Sequence, residues 1–130
     1  YVLCFDIVGL MRINDEISRE AGDKVILESL KRINAAAGED MPVLRIGGDE
    51  FFMVTGLDDV EKVTKIAKAV MEKNGIETAY KGGTVPVSIR SGAVMIRKPL
   101  KYSMLCHDFD EVISFARNDG EVHFAKAEQR

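Results

Sequence analysis

The residues best suited to chemistry in this chain are two adjacent carboxylates, Asp49 and Glu50, which follow Gly47 and Gly48 between two strand-like apolar runs. A third carboxylate, Asp6, interrupts the end of the first apolar run. Carboxylates brought together repel one another unless a cation lies between them or one of them holds a proton. Mg²⁺ suits such a site because it is usually held by one or two carboxylates and substrate phosphates. The competing interpretation is an ordinary hairpin turn with solvated acids.

The turn after the first strand offers a place for the phosphates of a nucleoside triphosphate. Its backbone amides precede a helical segment, and helix N-termini favour anions. Gly9 would let that backbone approach a ligand closely. The turn consists of Val8, Gly9, Leu10 and Met11. A formal net charge of -3 speaks against a general nucleic-acid binder, so a phosphate ligand needs local cations or a metal ion.

Length and composition predict one globular domain over residues 1–130, with a hydrophobic fraction of 46% and a charged fraction of 30%. Cys4 and Cys106 lie in or beside apolar runs, which favours reduced, buried thiols and a cytoplasmic setting. The apolar runs are far shorter than the roughly 20 residues that cross a bilayer, so we expect no direct membrane insertion by this domain. The chain opens without a basic leader, and we expect a domain excised from a longer signalling protein, which can itself be membrane-bound.

The first elements that position the candidate residues follow from the apolar patterns. Residues 1–8 are typical of a central strand covered on both faces. Residues 11–38 have the period of one long helix that ends at Gly38. Its apolar face consists of Val25, Ile26, Leu30 and Ile33. Gly22 predicts an irregularity or a close approach within this helix.

The remaining elements are predicted from turn signals and periodicity. They are a β-hairpin over residues 42–46 and 50–55, a helix capped by Asp58 and ended by Asn74 and Gly75, one long or two short strands over 82–96 around Pro86, a short helix at 108–120 and a last strand at 121–125. The order is βαββαβ with an extra αβ unit. It predicts an α+β sandwich of ferredoxin-like connectivity, with helices covering a mainly antiparallel sheet. In that connectivity the first strand lies beside the hairpin, so Asp6 could meet Asp49 and Glu50.

These residues resemble the GGDEF domain family of diguanylate cyclases, whose name is spelled by residues 47–51. Further blocks fall at the family's spacing: Asp6 with Ile7, residues 13–15 and 22–23, and a terminal helix with Ala116, Arg117 and Gly120. The likeness spans nearly the whole chain, although the family's usual N-terminal helical lead-in is missing. The resemblance implies a fold similar to nucleotidyl cyclase and polymerase palm domains.

The resemblance also implies a reaction that joins two GTP molecules into cyclic di-GMP with loss of two pyrophosphates. One active site of such domains holds one substrate, so catalysis needs a homodimer. The implied cofactor is Mg²⁺ or Mn²⁺, bound by the Asp6 carboxylate, the Ile7 carbonyl and Glu50. Asp49 would help to bind metal or take the proton from the attacking 3′-hydroxyl. A linked upstream sensory or regulatory domain is expected to control the reaction.

Other family positions carry over to substrate binding. Asn14 and Asp23 match the guanine-binding residues, and Arg117 stands where a lysine contacts phosphate. Without the resemblance, Asn14 is a helix-start residue, Asp23 a local cap and Arg117 a cation at a helix C-terminus. Gly47 and Gly48 form the turn or let the ligand rest against it, and both roles can hold together.

Several positions depart from the family pattern, and they concentrate where phosphate contacts are expected. Leu10 replaces an aromatic residue and Met11 a basic one, while Ser18 and Arg19 replace Gly-His. Glu121 replaces an arginine, which reverses a charge near the triphosphate. We therefore expect weaker GTP binding than in a typical member, with metal binding intact.

The family's product-inhibition motif, Arg-x-x-Asp, is also altered, because Gly38 and Met41 occupy its charged positions. The resemblance therefore implies that cyclic di-GMP does not inhibit the domain through that site.

Three alternatives to a GTP-specific cyclase remain open from the sequence. A degenerate module would bind GTP, or only a partner domain, and regulate a linked domain without turnover. The run FDIVGL is also similar to the metal-binding start of class III adenylate and guanylate cyclases. A dinucleotide made partly from ATP is expected if Asn14 and Asp23 do not both face the base.

Overall fold

The computed structural model describes residues 1–38, 41–95, 107, 110 and 123–126. The strands are β1 (Val2–Ile7), β2 (Val43–Arg45), β3 (Glu50–Val54), β4 (Thr78–Tyr80), β5 (Gly83–Val85), β6 (Ile89–Met95) and β7 (His123–Lys126), and the helices are α1 (Leu10–Glu16), α2 (Arg19–Ala37) and α3 (Val60–Met71). The predicted fold class, an α+β sandwich with a mainly antiparallel sheet, is confirmed.

The main sheet has five strands in the order β2-β3-β1-β6-β7. The first three neighbouring pairs are antiparallel and β6-β7 is parallel. The first four strands thus reproduce the predicted ferredoxin-like order, and β7 adds the extra strand at one edge. Strands β4 and β5 form a separate two-stranded sheet.

Strand β1 lies at the centre of the main sheet and is buried along its whole length. Its alternate residues Leu3, Phe5 and Ile7 belong to the hydrophobic core under the helices. Helix α2 contributes Val25 and Ile33 to that core, with its other predicted apolar residues partly buried against it. The predicted central strand and the predicted face of α2 are therefore confirmed.

The prediction of one long helix over residues 11–38 was wrong. The chain forms α1 and α2 instead, and the break lies at Ile17 and Ser18. Ser18 is extended (φ -173°, ψ 162°), and its hydroxyl accepts a hydrogen bond from the Ala21 amide at 3.0 Å. Ser18 is thus the N-cap of α2, and its hydroxyl pairs an amide that a continuous helix would have paired with a backbone carbonyl. This polar contact starts a new helix at a position where the apolar periodicity alone predicts that one helix continues.

Two helix boundaries also differ from the prediction. The N-cap of α3 is Asp59, not Asp58, because its side chain accepts from the Glu61 amide at 2.9 Å. Helix α3 ends at Met71, before Asn74 and Gly75. Asn74 has a different role: its amide group donates to the Ile89 carbonyl at 2.8 Å and accepts from the Ile89 amide at 2.9 Å.

The segment around Pro86 forms two strands, since Pro86 separates β5 in the small sheet from β6 in the main sheet. Strand β4 was not predicted. The predicted last strand is confirmed as β7, while most of the predicted helix at 108–120 lies outside the described residues, as do Cys106 and the phosphate-site positions 117 and 121. Cys4 is buried, as predicted.

Candidate active site

The three predicted acids meet at one end of the main sheet. Asp6 lies near the end of β1 and is paired directly across the sheet with Glu50, the first residue of β3. Each of Asp6, Asp49 and Glu50 can offer a carboxylate oxygen so that the three oxygens lie within 4.8 Å of one another. The predicted convergence of β1 and the hairpin is therefore confirmed.

Backbone hydrogen bonds fix this geometry. The Ile7 amide donates to the Asp49 carbonyl at 2.8 Å, which ties the hairpin turn to the end of β1. The Ile46 amide donates to the Glu50 carbonyl at 2.9 Å and closes the hairpin itself. Asp49 and Glu50 are thus held by strand pairing on both sides of the turn.

Burial and mutual repulsion favour protonation of two of the acids. The pKa of Asp6 is raised above its usual value, chiefly because burial disfavours the charged carboxylate; a hydrogen bond from Arg90 opposes this rise and the charge of Asp49 adds to it. The pKa of Glu50 is raised by burial first, then by the negative charges of Asp110, Asp49 and Asp6. A cation bound among the acids would relieve both effects.

The donor set fits a hard divalent cation. The acids offer only carboxylate oxygens, two of them partly exposed, so a Mg²⁺ or Mn²⁺ ion could keep water ligands or take phosphate oxygens as well. Softer metals are not favoured, because among the described residues no histidine or cysteine belongs to this cluster. Asp6, Asp49 and Glu50 are the side chains that would hold the ion.

One cation of the chain already contacts this cluster. Arg90 on β6 lies opposite Asp6 in the antiparallel register, and its guanidinium forms an ion pair with the Asp6 carboxylate. Arg90 was not predicted as a functional residue. The signal available was a charged residue inside the apolar strand IRSGAVM, which mirrors Asp6 inside VLCFDI.

A cavity of about 320 Å³ opens beside the acids. Its lining joins α1 to the hairpin turn and consists of Leu10, Met11, Asn14, Gly48 and Asp49. The structure thus brings together residues that were predicted separately for phosphate, base and metal contacts. A cavity of this size suits one small ligand.

Asn14 is held by close contact with helix α2. A Cβ atom at Gly22 would lie 1.7 Å from the Asn14 Oδ1 atom, so only glycine fits there without displacing Asn14. Of the two explanations predicted for Gly22, the close approach is the one confirmed. The contact places Asn14 beside the first turn of α2, where the exposed Asp23 lies. Asp23 itself does not line the cavity.

The turn before α1 offers a ligand backbone groups but no charged side chain. Gly9 has φ 73°, a left-handed conformation that glycine adopts without strain. Leu10 is buried and belongs to the core, whereas Met11 is 77% exposed. Because α1 has only seven residues, its dipole attracts anions less than the long helix predicted from sequence would.

The two hairpin glycines are not required by the backbone conformation. Neither Gly47 nor Gly48 has a positive φ angle, and a Cβ atom at either position would meet open space. Their carbonyl oxygens accept hydrogen bonds from the Arg45 guanidinium at 3.2 and 3.0 Å. Arg45, also missed from sequence, stabilises the turn, while the bare glycines leave room above it.

At the positions of the expected product-inhibition motif the structure offers no charge. Gly38 is the C-cap of α2 with φ 85°, and Met41 is a partly buried side chain packed against the core. The prediction that cyclic di-GMP does not inhibit the domain at these positions stays a prediction.

Comparison with known proteins gives a family and a fold. Residues 1–123 match the family described as diguanylate cyclase, GGDEF domain. Curated relatives called uncharacterized membrane proteins, from several strains of Staphylococcus aureus, are 26% identical over 123 residues. That match covers 92% of this chain but 35% of the relative, so the chain spans about a third of those proteins. No helix in the described part of this chain is both long and apolar enough to span a bilayer.

Solved structures of GGDEF domains superimpose closely. A fragment of Pseudomonas aeruginosa TpbB (YfiN) comprising only the GGDEF domain has a TM-score of 0.76 and 27% identity, covering 97% of this chain and 75% of that one. The GGDEF domain of DgcB from Caulobacter crescentus, solved in complex with c-di-GMP, has a TM-score of 0.75 and 21% identity, covering 98% of this chain and 77% of that one. The second likeness shows a shared fold.

Proposed function

The chain belongs to the GGDEF domain family of diguanylate cyclases, and from that premise we propose that it condenses two GTP molecules into cyclic di-GMP and two pyrophosphates. The observation that carries the proposal is the meeting of three carboxylate oxygens within 4.8 Å, beside a cavity that Asn14 and the hairpin turn line. A solvated turn needs neither the buried Asp6 nor this convergence. The proposed cofactor is Mg²⁺ or Mn²⁺.

In this proposal Asp6 and Glu50 hold the metal, with the Ile7 carbonyl as a further ligand. A bound divalent ion supplies neutralisation of charge on the α-phosphate. Asp49 either shares in metal binding or accepts the proton of the attacking 3′-hydroxyl. Its positions in the lining of the cavity and in the acid cluster support both roles.

The substrate lies in the cavity between α1 and the hairpin. Asn14, pressed against Gly22, and Asp23 on the same turn of α2 would hydrogen-bond the guanine. Backbone of Val8, Gly9, Leu10 and Met11 would receive the phosphates, assisted by Arg117. Gly47 and Gly48 would leave space for the nucleotide against the turn.

The proposed reaction uses two protomers. Five of the predicted residues line a cavity of a size that suits one nucleotide, which supports a second GTP carried by a second copy of the domain. Each 3′-oxygen would attack the α-phosphorus bound to the other protomer, and each pyrophosphate would leave in line. An upstream domain in a longer protein would control how often two protomers meet.

A second candidate function is a regulatory module that binds GTP without turnover. The observation that favours it is the exposed Met11 at the cavity, because a methionine supplies no charge to a triphosphate where the family has a basic residue. Such a module would keep metal-dependent nucleotide binding and release no pyrophosphate.

The test is incubation of the concentrated protein with Mg²⁺ and GTP, alone and with ATP, followed by identification of products by mass spectrometry. Asp49→Ala and Glu50→Ala should abolish cyclic di-GMP, whereas Asp58→Ala, the same change at an exposed acid outside the cluster, should not. A coiled-coil fusion that enforces dimerisation tests whether low turnover reflects a lack of dimers. Metal-dependent GTP binding without product from the fused dimer would support the regulatory module instead.

A further inference from the structure

The ion pair between Arg90 and Asp6 joins the candidate metal site to a strand outside the hairpin. Asp6 and Arg90 are direct cross-strand partners on β1 and β6. The Asp6 side chain is only 8% exposed and that of Arg90 is 25% exposed, so the pair is largely shielded from water. Among the described residues, no other lysine or arginine forms an ion pair or hydrogen bond with Asp6, Asp49 or Glu50.

The pair uses only part of the hydrogen-bonding capacity of the arginine. One terminal nitrogen of Arg90 bonds one oxygen of Asp6, whereas the Nε atom is buried and has no hydrogen-bond partner. A two-pronged guanidinium-carboxylate contact would bind more strongly. The backbone beside Arg90 is held in place, because the Asn74 side chain hydrogen-bonds both the amide and the carbonyl of the preceding residue, Ile89. The guanidinium therefore has an unpaired N–H donor, and the backbone that carries it is held in place.

A divalent ion and Arg90 compete for the charge of the same carboxylate. Asp6 is one of the three acids that would hold the ion. An ion bound there would be repelled by the guanidinium a few ångströms away, and this repulsion is weakly screened because Asp6 is buried. Binding of the ion alone must therefore weaken or displace the Arg90 contact.

We propose that Arg90 is a resident counter-ion of Asp6 that opposes uptake of free divalent metal and makes metal binding depend on a nucleoside triphosphate. When the metal arrives with phosphates, the guanidinium leaves Asp6 for a phosphate oxygen, which also satisfies its unpartnered Nε atom. Arg90 is thus a positioning residue for the metal and a phosphate contact in the loaded site. This inference rests on the proposed metal and nucleotide site, which it extends to a residue on β6.

The first experiment measures binding of Mn²⁺ alone to the full chain at pH 8, by calorimetry and by the electron paramagnetic resonance of free Mn²⁺. Arg90→Met, which keeps the apolar stem and removes the charge, should bind Mn²⁺ at least about tenfold more tightly than the wild type. Arg90→Lys should bind like the wild type, because it retains the charge. Arg12→Met, which removes an exposed guanidinium paired with Glu16, is the matched control and should change the affinity less than about twofold.

The second experiment measures coupling to phosphate. An α,β-methylene analogue of GTP should raise the Mn²⁺ affinity of the wild type by a larger factor than that of Arg90→Met. In the wild type, the NMR signal of the Arg90 Nε proton should shift as Mg²⁺ and the analogue are added together. This last measurement needs no substitution, so it stands even if Arg90→Met folds poorly.

The outcomes separate this inference from the proposed function. If Asp6→Asn abolishes Mn²⁺ binding but Arg90→Met binds no more tightly than the wild type, the role of Arg90 is overturned and the metal site stands. If neither the wild type nor any variant binds Mn²⁺, with or without the analogue, both the metal site and the role of Arg90 are overturned. An Arg90 signal that stays unmoved in the loaded wild type also overturns the inference.

Discussion

Glu50→Gln should stabilise the metal-free domain while removing its response to metal. Glu50 lies directly across the sheet from Asp6 and next to Asp49, so three like charges converge when all are ionised. Like charges placed opposite each other on a sheet are destabilising. Glutamine keeps the shape of the side chain and removes one charge.

The magnitude follows from the distance between the acids. Two unit charges separated by the 4.8 Å limit repel by about 0.9 kcal/mol in water and by roughly 3.5 kcal/mol at an effective dielectric constant of 20. Arg90 offsets much of the Asp6 charge, so the repulsion that Glu50 meets comes mainly from Asp110 and Asp49. Because Glu50 and Asp49 are partly exposed, we expect a gain of about 1–2 kcal/mol in the free energy of unfolding, or on the order of 4–8 °C in Tm.

The assay is urea and thermal unfolding at pH 8, first with a chelator and then with excess Mn²⁺. The wild type should gain stability from Mn²⁺, by about 2.7 kcal/mol at a concentration of 100 Kd, and Glu50→Gln should gain far less because a ligand is lost. Glu16→Gln is the control, since Glu16 is an exposed acid outside the cluster and its loss should change stability by at most about 0.5 kcal/mol.

A destabilised Glu50→Gln in chelator would refute the argument that repulsion dominates at this site. Equal stabilisation of the wild type and Glu50→Gln by Mn²⁺ would refute the assignment of Glu50 as a metal ligand.

Three further predictions concern the pH dependence of stability, the contact between Asn14 and Gly22, and the hydrogen bonds of Asn74 to the backbone of β6. Folding raises the pKa values of Asp6 and Glu50, so the folded state holds protons that the unfolded state has lost. The stability of the metal-free domain should therefore fall as pH rises from the usual carboxyl range through the raised values. Urea unfolding across that pH range should show a flatter dependence of stability on pH for Glu50→Gln than for the wild type. Gly22→Ala should displace Asn14, cost about 1–3 kcal/mol of stability and weaken binding of a fluorescent GTP analogue, and unchanged binding would remove Asn14 from the site. Asn74→Ala should cost about 1–3 kcal/mol in urea unfolding, since two backbone groups at the start of β6 lose their partner.

The hairpin and the acid cluster could be predicted because their signals are local. Two glycines and an aspartate between apolar runs define the turn, and the ferredoxin-like order then places β1 beside it. Asp6 could be predicted as a functional residue because a carboxylate in a buried strand requires a partner. The partner that the structure supplies, Arg90, is separated from Asp6 by 84 positions, and no local pattern pairs β1 with one residue of β6.

The helix break at Ser18 could not be read from periodicity for a different reason. The apolar positions of α1 and α2 continue one pattern, and the deciding contacts are polar: the Ala21 amide on the Ser18 hydroxyl, and a hydrogen bond of 2.7 Å between that hydroxyl and the Tyr80 phenol. Tyr80 lies on β4, a strand that was not predicted, so its contact with Ser18 could not be predicted from the sequence pattern either.

The burial of the central strand β1 determines how a destabilising mutation would affect ligand binding to this domain. Asp6 lies on β1, which pairs with β6 along its whole length and with β3 from Val2 to Asp6. Its amides should therefore exchange with deuterium only when the entire domain opens. A mutation elsewhere in the core would then reduce the number of competent molecules and leave the affinity of each surviving site unchanged, so titrations should report a lower stoichiometry at constant Kd.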